Sequence, residues 1–303
     1  MAPPPPSANA SLGERLTRLA TTLQFAWFLG HFTLLIAVFR YGLSYFTFNY
    51  YSKWAAFTYR LAFISAVATY GIVVFKAYRA RVKTGDPVGR TAMLLLSDEN
   101  VQYLRRYHNA SKDDNWLTHS PVISLVWLYS GQVPLALLPF TVYSVFHVAT
   151  YTRTNIIPTL SPPKAAPGST PTSPGATKSQ SPLANSIGRF VKEYYDSSMM
   201  LVAGLEILLW FRLLLSAFTF SKGSWVLLGI YTVFLRARFH QSQFVQGAFS
   251  RGSAHIDQQV QNPNFPPAAR QGWETVKGLG RQVVDATDVR KYLGGATAQK
   301  KPQ

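Results

Sequence analysis

Cysteine is absent from this 303-residue chain. That excludes a disulfide framework, a thiolate zinc site and a cysteine nucleophile, and it leaves the redox compartment unreadable. Charge is scarce as well. Only 14% of residues are Asp, Glu, Lys or Arg, against about 25% in soluble domains. Acidic residues are the scarcest class, 13 against 30 Lys and Arg, for a formal net charge of +17. No phosphate-binding Walker loop, GxSxG elbow or HExxH helix occurs, so the common nucleotide, acyl-transfer and zinc-hydrolase signatures are missing. The six histidines, His31, His108, His119, His147, His240 and His255, share no metal-ligand spacing. Asp113-Asp114 near His119 is a single acidic pair in a polar loop, the pattern of a solvated surface. Neither a metal, a cofactor nor catalysis is expected.

What the chain has instead is long apolar runs, with 48% hydrophobic residues and 14% aromatics. The longest lies in Ser198–Phe239. A bilayer core of roughly 30 Å needs about 20 apolar residues in a helix, and Met199–Phe220 supplies them. Ser221-Lys222-Gly223-Ser224 reads as a turn. Trp225–Leu235 is a shorter return, closed by Arg236 and Arg238. Span, turn and return make a membrane hairpin over 198–239.

Earlier segments repeat this plan. Met1–Asn9 is proline-rich and expected to be disordered. Ser11 and Glu14 have capping-box spacing, with Leu12, Leu16 and Leu19 at helical intervals, so 1–22 carries a short surface helix. Leu23–Phe39 is the first apolar run, ended by Arg40. No small-residue cleavage site follows it, so it reads as a retained anchor rather than a signal peptide. Tyr41–Tyr59 is an aromatic belt suited to headgroup depth. Leu61–Phe75, between Arg60 and Lys76, completes a first hairpin over 23–78. Ala62 and Ala66 permit close helix approach or form an alanine-rich lipid face.

The loop 79–121 is polar and basic, hence cytoplasmic by the positive-inside rule, with a helix expected within Ala92–Tyr107. Val122–Val148 is broken at Ser130–Pro134 and again at Pro139. It fits a bent span or a re-entrant hairpin over 122–150, since irregular backbone at depth must be shielded by protein. A linker is placed at 151–197. Its Pro158–Pro182 core is rich in Pro, Ser and Thr and is expected to be unstructured. Its Ser-Pro and Thr-Pro pairs, Ser181-Pro182 among them, carry the minimal pattern for proline-directed phosphorylation, one common in any such linker.

The tail, 240–303, is basic and polar. Within it Ala268–Val289 places Trp273, Val276, Leu279, Val283, Val284 and Thr287 on one arc of a helix. Arg270, Glu274, Lys277, Arg281, Asp285 and Asp288 fall opposite. Gly278 and Gly280 weaken such a helix by about 1 kcal/mol each relative to Ala. A weak amphipathic helix with Trp on one face and Lys277 and Arg281 beside it is suited to a membrane surface; docking on a protein is the other reading. Anionic lipid explains the net charge better than nucleic acid, because the basic residues are dispersed and no RNA-recognition or zinc-finger pattern accompanies them.

Ionisable residues within spans are costly, which singles out Glu206 and Arg212. They stand about 120° apart on a helix and do not face each other, so Arg60 of the second span is the expected partner of Glu206, in a structural pair. A transport site would need more convergent polar groups than these.

Several stretches together resemble one family. Tyr59–Lys76 (YRLAFISAVATYGIVVFK), Leu95–Leu104 (LLSDENVQYL), Leu138–Arg153 (LPFTVYSVFHVATYTR), Tyr195–Leu213 (YDSSMMLVAGLEILLWFRL) and Gly223–Phe249 are similar, in order and texture, to the transmembrane protein 33 family with its fungal pore-membrane members. The resemblance covers roughly residues 20 to 250, less the linker. It implies a non-enzymatic protein of the endoplasmic reticulum membrane and nuclear envelope, tied to tubular membrane shape and to nuclear pore complex distribution or assembly. Reticulon-type proteins, nucleoporins and transport receptors are the partners it implies, and an amphipathic membrane-binding tail accompanies it in fungal members.

The expected architecture is therefore an all-α integral membrane protein of about four apolar helical segments arranged as hairpins, with a disordered linker and a carboxy-terminal amphipathic helix. A transporter or channel, and an adaptor that recruits soluble partners through its basic tail, are the alternative functions.

Overall fold

The computed structural model describes residues 10–82, 120–161, 181–262 and 265–287. Expectations for Met1–Asn9, the helix within Ala92–Tyr107, most of the linker and the end of the tail lie outside these residues. The described chain forms two units, 1–248 and 249–303, and every described element is a helix or a turn.

In the first unit α1 (Leu12–Ala20) opens on the anticipated capping box: the Ser11 side chain accepts from the Glu14 N–H, and Glu14 accepts from the Ser11 N–H at 3.1 Å. Two long helices follow, α2 (Leu23–Phe46) and α3 (Lys53–Val82). They pack closely at Gly30, where a Cβ would overlap Thr69 Cγ2. Ala62 and Ala66 are fully buried, so the small residues of α3 serve helix approach and not the lipid face.

The broken segment resolves into α4 (Ser120–Tyr129), an irregular stretch with a 3-10 turn at Pro134–Ala136, and α5 (Leu137–Tyr151). A π-helical turn (Thr152–Ile156) and α6 (Ile157–Leu160) prolong α5. The 10 described residues of α4 rise about 15 Å, half of a bilayer core. Backbone at such depth needs protein partners, and the first hairpin provides them. Tyr59 Oη accepts from the Val133 N–H at 3.1 Å, Tyr41 Oη donates to Gln132 Oε1 at 3.2 Å, and Arg60 Nη1 donates to the Leu128 carbonyl.

The second hairpin is α7 (Pro182–Phe218) and α8 (Ser224–Gln241). α7 starts well before the apolar run at Ser198, so the linker ends earlier than its composition suggested. Ser181 caps it by accepting from the Ala184 N–H at 3.2 Å, and Pro182 occupies the first turn. A Ser-Pro pair is as good a helix start as a turn, because proline lacks the donor that the first turn leaves unused. The helical part of α5–α6 likewise runs beyond Val148, to Leu160.

Directions follow from the contacts. His31, Trp27 and Tyr41 of α2 meet Ser144, His147 and Gln132 respectively, so α2 and α5 are antiparallel. Phe146 meets Phe190 and Tyr195, while Arg153 crowds Gly188, so α7 also opposes α5. Hence α2, α4 and α7 run one way and α3, α5 and α8 the other, as three hairpins with their corners on one side. Leu23–Phe46, Lys53–Lys76, Pro134–Leu160 and Pro182–Phe218 are each long and apolar enough to cross a membrane. The chain is an all-α integral membrane protein.

The corners after α2 and α7 are both Schellman turns. Phe48 and Phe220 take φ values of 53° and 52°, a left-handed conformation costing a side-chain-bearing residue roughly 1–2 kcal/mol. The Asn49 and Ser221 N–H groups close the turns on the Ser44 and Ser216 carbonyls, at 2.7 and 3.2 Å, which satisfies carbonyls that a helix end leaves orphaned.

In the second unit, the end of α9 (Gln243–Val260) packs against α10 (Pro267–Ala286).

Candidate functional site: a buried ion pair and an amphipathic tail

The partner of Glu206 is Arg238, which stands on α8. Arg238 Nε donates to Glu206 Oε1 and Oε2 at 3.2 and 3.1 Å, and both side chains are only 5% exposed. The network is completed around them. Arg238 Nη2 donates to Tyr143 Oη at 3.1 Å, and Tyr231 Oη donates to the Glu206 carbonyl at 3.2 Å. A cavity of about 20 Å³ adjoins the pair, lined among others by Tyr70, Trp127 and Phe140. That is room for roughly one water. A buried charge pair so equipped ties α5, α7 and α8 together, since removing either partner would strand an unpaired charge.

The expected pairing of Glu206 with Arg60 is thereby corrected. Arg60 points to the Leu128 carbonyl on α4, and Arg212 faces outward on α7. In the sequence Arg238 reads as a boundary charge closing the return run. Its position gives the missed signal: Leu228, Tyr231, Leu235 and Arg238 recur at helical intervals and are all buried, so Arg238 continues the inward stripe of its helix.

His31 and His147 lie together inside the first unit, rings 4.6 Å apart, with Trp27 edge-on to both. His31 Nδ1 and Ser144 Oγ are hydrogen-bonded at 2.9 Å. This cluster joins α2 to α5.

In the second unit Asp257 collects the contacts of the tail helix. Its Oδ1 accepts from Trp273 Nε1 at 2.7 Å and from Lys277 Nζ at 2.8 Å. Lys277 also pairs with Glu274 at 2.8 Å and lies over the Trp273 ring. Hydrogen bonds from Lys277 and Trp273 hold the Asp257 carboxyl below its ordinary range, and the bond to Asp257 raises the Lys277 ammonium. Arg270 adds a bond to the Val260 carbonyl at 3.2 Å. The apolar arc therefore divides. Trp273 turns towards α9, and Val284 is half-buried. Val276, Leu279 and Val283 form a stripe that is more than half exposed. Gly278 and Gly280 have open space where a Cβ would stand, so packing does not require them. Arg281 and Thr287 are exposed, and Asp288 and Val289 lie beyond the described residues.

Comparison with known proteins agrees with this membrane architecture. A family model described as Transmembrane protein 33/Nucleoporin POM33 matches residues 5–283. The chain belongs to this family. It is 53% identical over 303 residues to Nucleoporin POM33 of Chaetomium thermophilum, covering 99% of both chains. It is 26% identical over 281 residues to the Pore membrane protein of 33 kDa of Saccharomyces cerevisiae, covering 90% of this chain and 87% of that one. Tetra-spanning protein 1 of Schizosaccharomyces pombe is 27% identical over 268 residues, at 88% and 86% coverage. No solved structure matches.

Proposed function

We propose that this protein is a non-enzymatic organiser of the nuclear envelope and the continuous endoplasmic reticulum membrane, acting on membrane shape and on the distribution or assembly of nuclear pore complexes. The names of the relatives, a nucleoporin and a pore membrane protein, support the pore connection. One observation carries the physical mechanism: three hairpins with their corners on one side, the middle one having an arm, α4, whose described residues reach through about half a bilayer. Hairpins of unequal depth occupy one leaflet more than the other. Leaflet asymmetry of that kind favours curved membrane, as at a tubule or a pore rim. The basic loop puts the open ends on the cytoplasmic face. The tail, with Val276, Leu279 and Val283 towards lipid and the exposed Arg281 near anionic headgroups while Lys277 is held by Asp257, adds shallow insertion on that face.

The test reconstitutes the full-length protein with liposomes of graded diameter, in parallel with a Val276→Asp/Val283→Asp variant. Preference for small vesicles or tubulation by the intact protein, reduced in the variant, supports the reading; indifference to diameter removes the wedge mechanism. Glycosylation mapping at the sequon Asn109-Ala110-Ser111 checks orientation. An unmodified Asn109 accords with a cytoplasmic loop, and a glycosylated one reverses it.

A further inference from the structure

The corners of the first and last hairpins share more than a turn type. Set Phe39 on Phe211 and keep every later residue in step: FRYGLSYFTFNYYSKWAAFTY (39–59) and FRLLLSAFTFSKGSWVLLGIY (211–231) are then identical at nine of 21 positions, without a gap. The backbones of the matched residues agree through the turn, although the serine side chains differ, Ser44 Oγ accepting from Arg40 and Ser216 Oγ bonding to Ser224 Oγ. Thr47 and Thr219 are the C-caps, with φ of −92° and −82° and ψ of 9° and 10°. Phe48 and Phe220 take the same left-handed backbone. The Ser52 and Ser224 N–H groups close on the carbonyls of Asn49 and Ser221, at 3.2 and 3.0 Å. Tyr59 and Tyr231, seven residues on, are both buried, and each uses its hydroxyl on a backbone group, Val133 N–H and Glu206 carbonyl. Since α2 and α7 run parallel, the repeat is of the kind related by an axis along the membrane normal, not an inverted one.

What the repeat preserves on its surface points to a ligand. Phe48 and Phe220 are 87% and 81% exposed, yet a glycine would adopt their backbone without strain. Among the described residues nothing covers these rings, which leaves them open to the bilayer. Each corner also carries an exposed arginine, Arg40 or Arg212, seven residues before the capping threonine, about 10 Å along the helix. Among the described residues neither meets a carboxylate. Arg40 is already bent towards its corner, where Nη1 donates to Ser44 Oγ at 3.1 Å. On an apolar, lipid-facing helix a guanidinium without a carboxylate partner extends to the interface. The anion found at that depth is the phosphodiester of a phospholipid, whose oxygens suit the guanidinium fork. An aromatic ring at headgroup depth beside it completes the seat.

We propose that Arg40 with the Phe46–Phe48 corner, and Arg212 with the Phe218–Phe220 corner, are two equivalent seats for a phospholipid phosphate, produced by an internal repeat and opening into the same leaflet. Each seat takes one lipid. Together they anchor the two hairpins at a common interface while the short α4 hangs between them.

Native mass spectrometry of the full-length protein in detergent, titrated with phosphatidylserine and with diacylglycerol as a phosphate-free control, counts the seats. The intact protein is expected to hold two phosphatidylserine molecules tightly and no diacylglycerol. Arg40→Gln and Arg212→Gln should each lose one, with at least tenfold weaker binding at the altered seat, and the double variant should lose both. Arg→Lys at either position should retain binding in part. Unchanged lipid counts in the double variant, or a loss confined to one of the two positions, would overturn the proposal. Exchanging residues 46–52 for the FTFSKGS sequence of the second corner tests equivalence without touching either arginine. A folded chimera that still holds two lipids supports the repeat, and one that misfolds or holds a single lipid contradicts it.

Discussion

Glu206 and Arg238 meet inside the last hairpin at 3.1 Å, 32 residues apart in sequence, and neither is open to solvent or lipid. Removing one partner leaves the other charged and stranded. Glu206→Leu or Arg238→Leu is expected to destabilise the protein by about 3 kcal/mol or more, and making both changes together to recover most of that loss. Thermal unfolding of the four proteins in one detergent, combined as a double-mutant cycle, measures the coupling.

Tyr59 has a narrower task. Its hydroxyl takes the Val133 N–H, at the point where the chain leaves helical geometry between α4 and α5. Tyr59→Phe leaves that donor without its acceptor, at a cost of about 1–3 kcal/mol. Hydrogen exchange at Val133 should accelerate, while exchange along α7 stays unchanged.

Gly30 faces Thr69 so closely that a methyl group would overlap its Cγ2. Thr69 is fully buried and bonded to the Ala66 carbonyl at 2.9 Å, so it has little freedom to yield. Gly30→Ala should therefore cost about 1–3 kcal/mol through overpacking, although alanine is the better helix former. The opposite sign in a melting experiment would mean that α2 shifts freely along α3.

The tail clasp depends on pH in a defined direction. The Asp257 carboxyl is held below its ordinary range by Lys277 and Trp273, so its contribution is complete above the ordinary carboxylate pKa and fades as pH falls through the depressed one. The Lys277 ammonium is raised by Asp257, so its contribution is complete below the ordinary lysine pKa and is lost as pH rises through the raised one. Between those limits the contact of α9 with α10 is expected to be insensitive to pH. Trp273 fluorescence followed over a titration checks this, with Asp257→Asn as the variant that should abolish the acid-side transition.

Phe48→Gly and Phe220→Gly should each stabilise the isolated protein in detergent by about 1 kcal/mol, because glycine accepts the left-handed backbone. The same changes are expected to weaken association with liposomes. Stabilisation without loss of liposome binding would show that the rings have no partner outside the chain.

Spans were legible from composition because an apolar run of membrane length is a local property, visible at Leu23–Phe39 or Met199–Phe220 without knowledge of any neighbour. The Ser221–Ser224 turn and the capping box at Ser11 were legible for the same reason, each depending on residues a few positions apart. Boundaries were less secure. Ser181-Pro182 starts a helix as well as it suits a linker, and only the helix that follows distinguishes them. The internal repeat was present in the letters of 39–59 and 211–231. Its weight comes from two corners that share the left-handed turn at Phe48 and Phe220 and part only later, where Gly223 is left-handed and its counterpart Tyr51 is not.

Partners belong to the tertiary structure. Whether Glu206 pairs with Arg60, Arg212 or Arg238 depends on which helices pack together, and residues 32 positions apart carry no local mark of meeting. The division of the tail's apolar arc is of the same kind. Trp273 and Val276 look alike on a helical projection, but Asp257 on the neighbouring helix draws one inward and leaves the other exposed. The sequence by itself thus determined that the chain enters a membrane, where, and as hairpins. Packing decided which polar groups pair inside the protein, and it left Arg40, Arg212, Phe48 and Phe220 exposed.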